Sequence, residues 1–470
     1  MTLWNYQIEA IEFIGKVKKG YLAMSMGTGK TLTALAAGQK YAFKNILIIA
    51  EKNEVMNSQN FKKEAELLGL NYVSLREEDL DFVKGVNRQT VCAVNPDRLV
   101  KFKIEQIKEL FDFVVVDEST MVKTTTTQRF KRVKKVCEDM NYVVLLSGTP
   151  LMNGAAELYA PLLLLGHPLA GNGSRKAREA FESIFAGGHR RKIRNTGIWY
   201  QDYVWWAKGC NHTRELRYLV RDCFFFRRKE DTGVFNRKVD RRIVQVPMTL
   251  PWLVDYRSAW EEYLIQARKR DVNMDNVAEL RNLIENGQVY QVNSRWKAER
   301  VVEDIKNGVY GDQRIVIFSV FIATDNLIQF FLTEAGITYH AFEDLSEWKT
   351  GEEQVLVGRI KAHGKGANLP EASVALFVDM DFVPANNIQA ENRINRPEQK
   401  NDMTVVYYLT EGEDVVDAHV RRINQDKASK IDKFMAPLTS EEIAEMPVRM
   451  RTLQAKYKTD FSGLGLGTLF

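Results

Sequence analysis

Residues 24–31 read MSMGTGKT, two glycines beside a lysine and a threonine. Gly27 and Gly29 permit a tight turn and close backbone approach, so the N–H groups of Thr28 and its neighbours can surround a phosphate at a helix start. Lys30 adds a point charge for the outer phosphate oxygens, and the Thr31 hydroxyl can ligate Mg2+. Further on, FDFVVVDEST delivers Asp117 and Glu118 at the end of an apolar run. The first can hold Mg2+ through water, and the second can orient and deprotonate an attacking water. A third stretch, QAENRINRPEQ, spaces Arg393 and Arg396 by three residues. At helical spacing both could face one phosphate, where an arginine accelerates phosphoryl transfer by roughly 10³ to 10⁵. Taken singly, these are a strand-to-helix turn, a solvated turn and a salt-bridged helix. Their order along one chain favours nucleoside-triphosphate chemistry.

The elements that must hold these residues are legible as alternating patterns. YLAMSM, NILIIA, TVCAVN, FVVVDE and YVVLLSG are apolar, β-rich runs separated by helix-length segments, the signature of parallel strands covered on both faces. RIVIFSVF, ITYHAF, QVLVGRI, ASVALFVDMD and TVVYYLT repeat the pattern between Arg314 and Thr410. Two doubly wound α/β domains are expected, with residues 1–166 holding the phosphate loop and 246–435 the paired arginines. Residues 167–245 read as a basic, aromatic, helical insertion, and 436–470 as a tail whose glycine-rich end has turn composition. Hydrolysis would then require the two domains to close on ATP.

Composition narrows the classes. At 45% hydrophobic and 27% charged, the 470 residues suit folded domains, and no apolar run approaches the roughly 20 residues of a membrane helix. MTLWNYQIEAIEF lacks a basic region followed by an apolar stretch, so no secretory signal is expected. Cys92, Cys137, Cys210 and Cys223 form no CxxC pair, which fits a reducing cytoplasm and argues against zinc. The net charge is only +5, yet between Arg175 and Arg242 stand 18 basic against 8 acidic residues. Such a segment can neutralise nucleic-acid phosphates or simply form a solvated surface.

With these motifs in place, the chain resembles superfamily 2 helicases and translocases, most of all the Snf2 type. LWNYQIEAIEFI is similar to their N-terminal motif, which implies that Tyr6 and Gln7 recognise adenine. MSMGTGKT resembles motif I, NILIIAEKNEVMNSQNFKKE motif Ia, and DEST with Lys123 motif II. LLSGTPLMNGAAELYAPLLLL resembles motif III, where Ser147, Gly148 and Thr149 would couple hydrolysis to DNA contact. FFFRRKED, RIVIFSVF, KAHGKGANLPEASVALFVD and QAENRINRPEQ resemble the later motifs in order. The resemblance implies two RecA-like domains using ATP and Mg2+. It also implies a nucleotide contact at Gly366 and nucleic-acid contacts at Asn95, Arg227, Arg228, Ser319 and Lys365. Ser119 and Thr120 stand where many relatives have a small residue and a histidine that couples the ATP site to nucleic acid.

The expected partner is DNA, bound without sequence preference and weakly at high salt, because backbone contacts carry no sequence code. Lys229 could join the two arginines on phosphates. Trp199, Trp205 and Trp206 could stack on a displaced base or pack a small core. The compact motor resembles bacteriophage helicases acting on forks and junctions, a cytoplasmic monomer, in host cytoplasm if phage-encoded. The alternatives are a duplex translocase that displaces bound proteins without separating strands, and a nucleotide-gated switch.

Overall fold

The structure, a computed structural model, describes residues 2–457 apart from 53–54, 56–58, 77–78, 86–87, 139, 153, 193–202, 208, 236, 249, 270–287, 362–366 and 413–414. The first strands are β1 (Lys19–Met24), β2 (Asn45–Ile49), β3 (Asn71–Ser74), β4 (Thr90–Val94), β5 (Phe113–Val116) and β6 (Tyr142–Ser147). They are followed by β7 (His189–Lys192), β8 (Tyr203–Trp206) and β9 (Phe224–Arg227). Seven of these form one parallel sheet in the order β3-β4-β2-β5-β6-β1-β9, and β7 and β8 form an antiparallel pair. Every residue of β2, β4 and β5 is buried, because helices cover both faces of a parallel sheet and leave no polar side.

The second sheet is also parallel. Its strands are β10 (Val239–Val246), β11 (Ile315–Ser319), β12 (Tyr339–Ala341), β13 (Val355–Arg359), β14 (Val374–Phe377) and β15 (Met403–Thr410), in the order β10-β15-β14-β11-β13-β12. The chain divides into two compact units, Met1–Gly233 with Ser429–Phe470, and Val234–Ala428. Two doubly wound α/β units therefore hold as expected. Among the described residues no helix is long and apolar enough to cross a membrane.

Two stretches differ from the sequence reading. Residues 167–245 are not a helical body of their own: helices Arg175–Phe185 and Thr213–Leu219 pack into the first core, β9 pairs with β1, and β10 pairs with β15. The aromatic run Phe224–Phe226 explains the strand, since Phe224 stacks on Tyr21 of β1 with ring centroids 4.4 Å apart. The tail contains a helix, Ser440–Tyr457, whose Met446, Met450 and Leu453 enter the same core. Arg214 fastens its start, pairing with Glu442 and donating to the carbonyls of Lys433, Ala436 and Pro437.

Candidate nucleotide-binding site

The site of the first unit lies at the carboxyl ends of three neighbouring strands, β5, β6 and β1, where open α/β sheets bind ligands. After β1 the chain turns through Gly27 and Gly29, at φ 80° and 72°, a left-handed conformation that glycine adopts without a Cβ penalty. A Cβ on Gly29 would also stand 2.6 Å from the amide nitrogen of Gln7. The helix Lys30–Lys40 begins immediately after, so its free N–H groups open onto the loop. Thr28 is fully buried, its hydroxyl donating to the Ser25 carbonyl at 2.7 Å. Tyr6 and Gln7 both donate to the Thr28 carbonyl, at 3.0 and 3.2 Å, and Gln7 accepts from the Trp4 N–H. These two residues thus clamp the phosphate loop, and an adenine ring would have to compete for the Gln7 amide.

The acidic pair follows β5. The Thr31 hydroxyl donates to Asp117 at 3.1 Å, and the Glu118 N–H donates to the other carboxylate oxygen at 2.9 Å. Burial, and then the neighbouring Glu118 charge, push the Asp117 carboxyl up to about 6, against the opposing pull of Lys30. A divalent cation fits this donor set: it would return a buried carboxyl to its charged form, with the Thr31 hydroxyl already in place. Glu118 itself sits at φ 44°, a left-handed backbone that a residue with a Cβ holds only under constraint. The Ser147 hydroxyl at the end of β6 donates to its carboxylate at 3.3 Å and accepts from the Thr149 N–H at 3.1 Å. Gly148 has no room for a side chain, since a Cβ there would lie 2.7 Å from Met26 and 3.4 Å from the Lys30 ammonium. Lys30, Thr31, Asp117, Glu118 and Ser147 therefore converge, with Gly148 pressed against the loop.

Sequence reasoning missed two residues here. Glu64, on the helix Gln59–Leu67, has its carboxyl pushed up to about 8 by burial and by the charge of Asp117, with Lys30 opposing, and its buried Oε2 has no hydrogen-bond partner. Its signal was no more than its place as the last of three glutamates in the stretch resembling motif Ia. Tyr21 is fully buried beneath the acidic pair and accepts a hydrogen bond from Ser119 at 3.0 Å. An aromatic inside an apolar strand gives no hint of a polar task.

The other expected residues are placed differently. The helix Pro384–Ile394 ends before Arg396, so the two arginines do not share one helical face, contrary to the spacing argument. Arg393 is buried, donates to the Ile360 carbonyl at 2.8 Å, and lies 5.5 Å from the rings of Phe318 and Phe342. Burial pushes both guanidinium groups down to about 10. Asn95 caps the short helix Pro96–Leu99, accepting from the Arg98 N–H at 2.8 Å. Ser319 is buried and donates to Asp325. Arg227 pairs with Glu9, and Arg228 with Asp231 and Glu230, so neither guanidinium is uncommitted. Trp205 donates its indole N–H to Glu182 and packs where a Cβ on Gly188 would stand, the packing role rather than the stacking one. Lys365, Gly366 and Trp199 lie outside the described residues.

A phosphate loop, a strand-end acidic pair and a Ser-Gly-Thr segment on adjacent parallel strands describe a P-loop nucleotide site. The SNF2-related domain matches residues 6–285, and the chain belongs to that family. A Caenorhabditis elegans SWI/SNF-related matrix-associated actin-dependent regulator of chromatin subfamily A-like protein 1 homolog is 24% identical over 87% of this chain and 58% of its own. An uncharacterized ATP-dependent helicase of Mycoplasma pneumoniae is 22% identical over 95% of this chain and 44% of its own. The chain thus spans about half the length of these curated relatives. Bacillus subtilis YqhH, an uncharacterized ATP-dependent helicase, is 24% identical over 89% of this chain and 77% of its own. Among solved structures, the Sulfolobus solfataricus SWI2/SNF2 ATPase core in complex with dsDNA covers 97% of this chain and 96% of that one at 19% identity and a TM-score of 0.42.

Proposed function

We propose that the chain is a DNA-stimulated ATPase that turns ATP hydrolysis into movement on DNA. The observation that carries this reading is the convergence of Lys30, Thr31, Asp117, Glu118 and Ser147 at adjoining strand ends in a chain of the SNF2-related family. Lys30 binds the outer phosphates of ATP, and the loop N–H groups bind the inner ones. Thr31 and Asp117 would hold Mg2+, which neutralises phosphate charge when bound. Glu118 orients a water and accepts its proton, its carboxylate aimed by Ser147. Arg396 adds positive charge in the transition state, a role resting on the resemblance of QAENRINRPEQ to the family's arginine motif. The four cysteines, none of them in a disulfide among the described residues, support a reducing cytoplasm as the working compartment.

Preference for forks or junctions is the finer part of this reading and rests on the resemblance to compact bacteriophage helicases. Duplex translocation that displaces bound proteins is the alternative, and the names of the chromatin-regulator relatives favour keeping it. Steady-state ATP turnover separates the two. It is measured without nucleic acid, then with single-stranded DNA, blunt duplex, a fork and a four-way junction, using Lys30→Ala as the blank. Strong stimulation by forks or junctions supports a branch-specific helicase, and equal stimulation by plain duplex supports the translocase. No stimulation by any DNA defeats the motor reading.

A further inference from the structure

The groups that would meet the metal and the outer phosphates all stand to one side of the phosphate loop. Asp117 and Glu118 follow β5, Ser147 ends β6, and the sheet continues through β1 to β9. A nucleotide held by the loop after β1, with its last phosphate toward those acids, extends its ribose and base the other way, toward the end of β9.

That side of the site is built by β9 and the helix Asn5–Val17. Tyr6, Glu9 and Phe13 recur at helical spacing on one face of the helix. Phe225 and Arg227, two apart on β9, share one face of the strand. The two faces meet: Phe13 packs on Phe225 with ring centroids 5.7 Å apart, and Glu9 pairs with the Arg227 guanidinium, which lies 5.2 Å from the Phe225 ring. Both elements are also fastened to the loop. Arg227 is paired in parallel with Met24 of β1, and its carbonyl accepts from the Ser25 N–H at 2.9 Å. Tyr6, one turn before Glu9, donates to the Thr28 carbonyl at 3.0 Å. Arg227 is thus set beside the loop by its own backbone and by a helix that grips the loop.

Glu9 takes one edge of the guanidinium, while Nε is buried and has no hydrogen-bond partner. The side chain is only 23% exposed, which places its charge for a ligand within the site better than for a DNA backbone outside it. A guanidinium is planar and attracted to the face of an aromatic ring, and a purine offers it more ring than a pyrimidine does.

We propose that Arg227 is a specificity-determining residue for the nucleotide: oriented by Glu9, its guanidinium covers the face of the ATP base and favours a purine over a pyrimidine. The inference rests on the ATPase reading above, and it moves Arg227 from the expected DNA contacts to the nucleotide.

Steady-state turnover of ATP and of CTP with saturating blunt duplex tests it. The wild type should prefer ATP in kcat/KM. Arg227→Ala should raise the KM for ATP about tenfold, keep kcat within about twofold and shrink the preference for ATP over CTP about fivefold. Arg227→Lys, which keeps the stem and the charge and loses the plane, should show the same change to a smaller extent and guards against a fold lost in the alanine variant. The salt slope of DNA binding should match that of the wild type. An unchanged KM for ATP in the folded variants, equal losses for ATP and CTP, or a wild type with no preference for ATP each overturn the proposal. So does a salt slope reduced by about one unit, which would return Arg227 to the DNA. The wild type is compared with Lys30→Ala first. If those two are equally slow, the ATPase reading falls and this inference falls with it. A fast wild type whose KM and preference Arg227→Ala leaves unchanged removes the inference alone.

Discussion

The acids at the carboxyl edges of the two sheets are treated in opposite ways. In the second unit Lys297, fully buried, lies 3.0 Å from Asp417 and 3.6 Å from Asp379. Asp379 also accepts from Ser294, and Asp381 accepts from Val383, Asn386 and Lys361. Each buried carboxylate there meets a cation or several donors, as burial of charge requires. In the first unit Asp117 and Glu64 crowd together with Lys30 opposing, and both carboxyls are pushed upward by burial. The Thr149 hydroxyl nearby is buried without a partner. One parallel-sheet design thus yields an edge whose buried acids are paired with a cation or several donors and an edge whose acids crowd together and await a ligand. Crowded acids beside a phosphate loop, rather than the fold, mark the site.

The sharpest way to break this contrast is chemical. Lys30→Ala should lower ATP turnover by at least about a hundred- to a thousandfold, because the phosphates lose a preorganised cation. The protein should remain folded, and near-normal turnover would remove the first edge as the active one. The matching change in the second unit acts on stability. Lys297→Ala leaves Asp417 and Asp379 buried without their cation and should cost about 3–5 kcal/mol in denaturant unfolding. A loss below about 1 kcal/mol would show that the second edge is not held by that charge.

A finer test uses pH. The Glu64 carboxyl is held up at about 8 in the folded chain and is near 4.5 when unconstrained, so the folded state carries a proton that the unfolded state has lost between these values. Its contribution is fully present below about 4.5 and is lost as pH rises through about 8. Glu64→Gln should therefore flatten the fall in melting temperature between pH 5 and 9 and make the variant the more stable protein at the alkaline end. Identical profiles would mean that Glu64 is compensated and that the two edges are less different than described.

What could be read from the sequence follows how local each signal is. The phosphate loop was legible because its glycines, lysine and threonine are contiguous and the flanking strand and helix follow at once. Asp117 was legible through its strand end, and Ser147 only through the resemblance of its stretch to motif III. The polar contact of Tyr21 was not legible, since its hydroxyl meets Ser119 only because β1 and the turn after β5 come together, a non-local fact. Arg393 and Arg396 suggested one helical face, but Asn395 at φ −85°, ψ 80° ends the helix between them. The basic segment reads differently once folded. Its charge excess is real, yet Arg214 and Arg228 find acids through folding, one of them 228 residues away at Glu442.

That last point yields the smallest expected effect. Charge counting alone would assign Arg228 to a DNA phosphate, and each phosphate neutralised contributes roughly 0.9 to the slope of log affinity against log salt. In the structure the guanidinium makes two bonds of 3.0 Å to Asp231 and a third contact of 3.1 Å to Glu230. Leaving them for a phosphate would expose two carboxylates to the same polyanion, a repulsion that cancels much of the gain. Arg228→Ala should therefore leave the salt slope of DNA binding unchanged within about 0.3 and lower affinity less than about threefold. A slope reduced by about one unit would show that the arginine exchanges Asp231 for a phosphate on the track. The basic segment would then behave like the nucleotide edge, as surface held in reserve for a ligand, instead of like the paired acids of the second sheet.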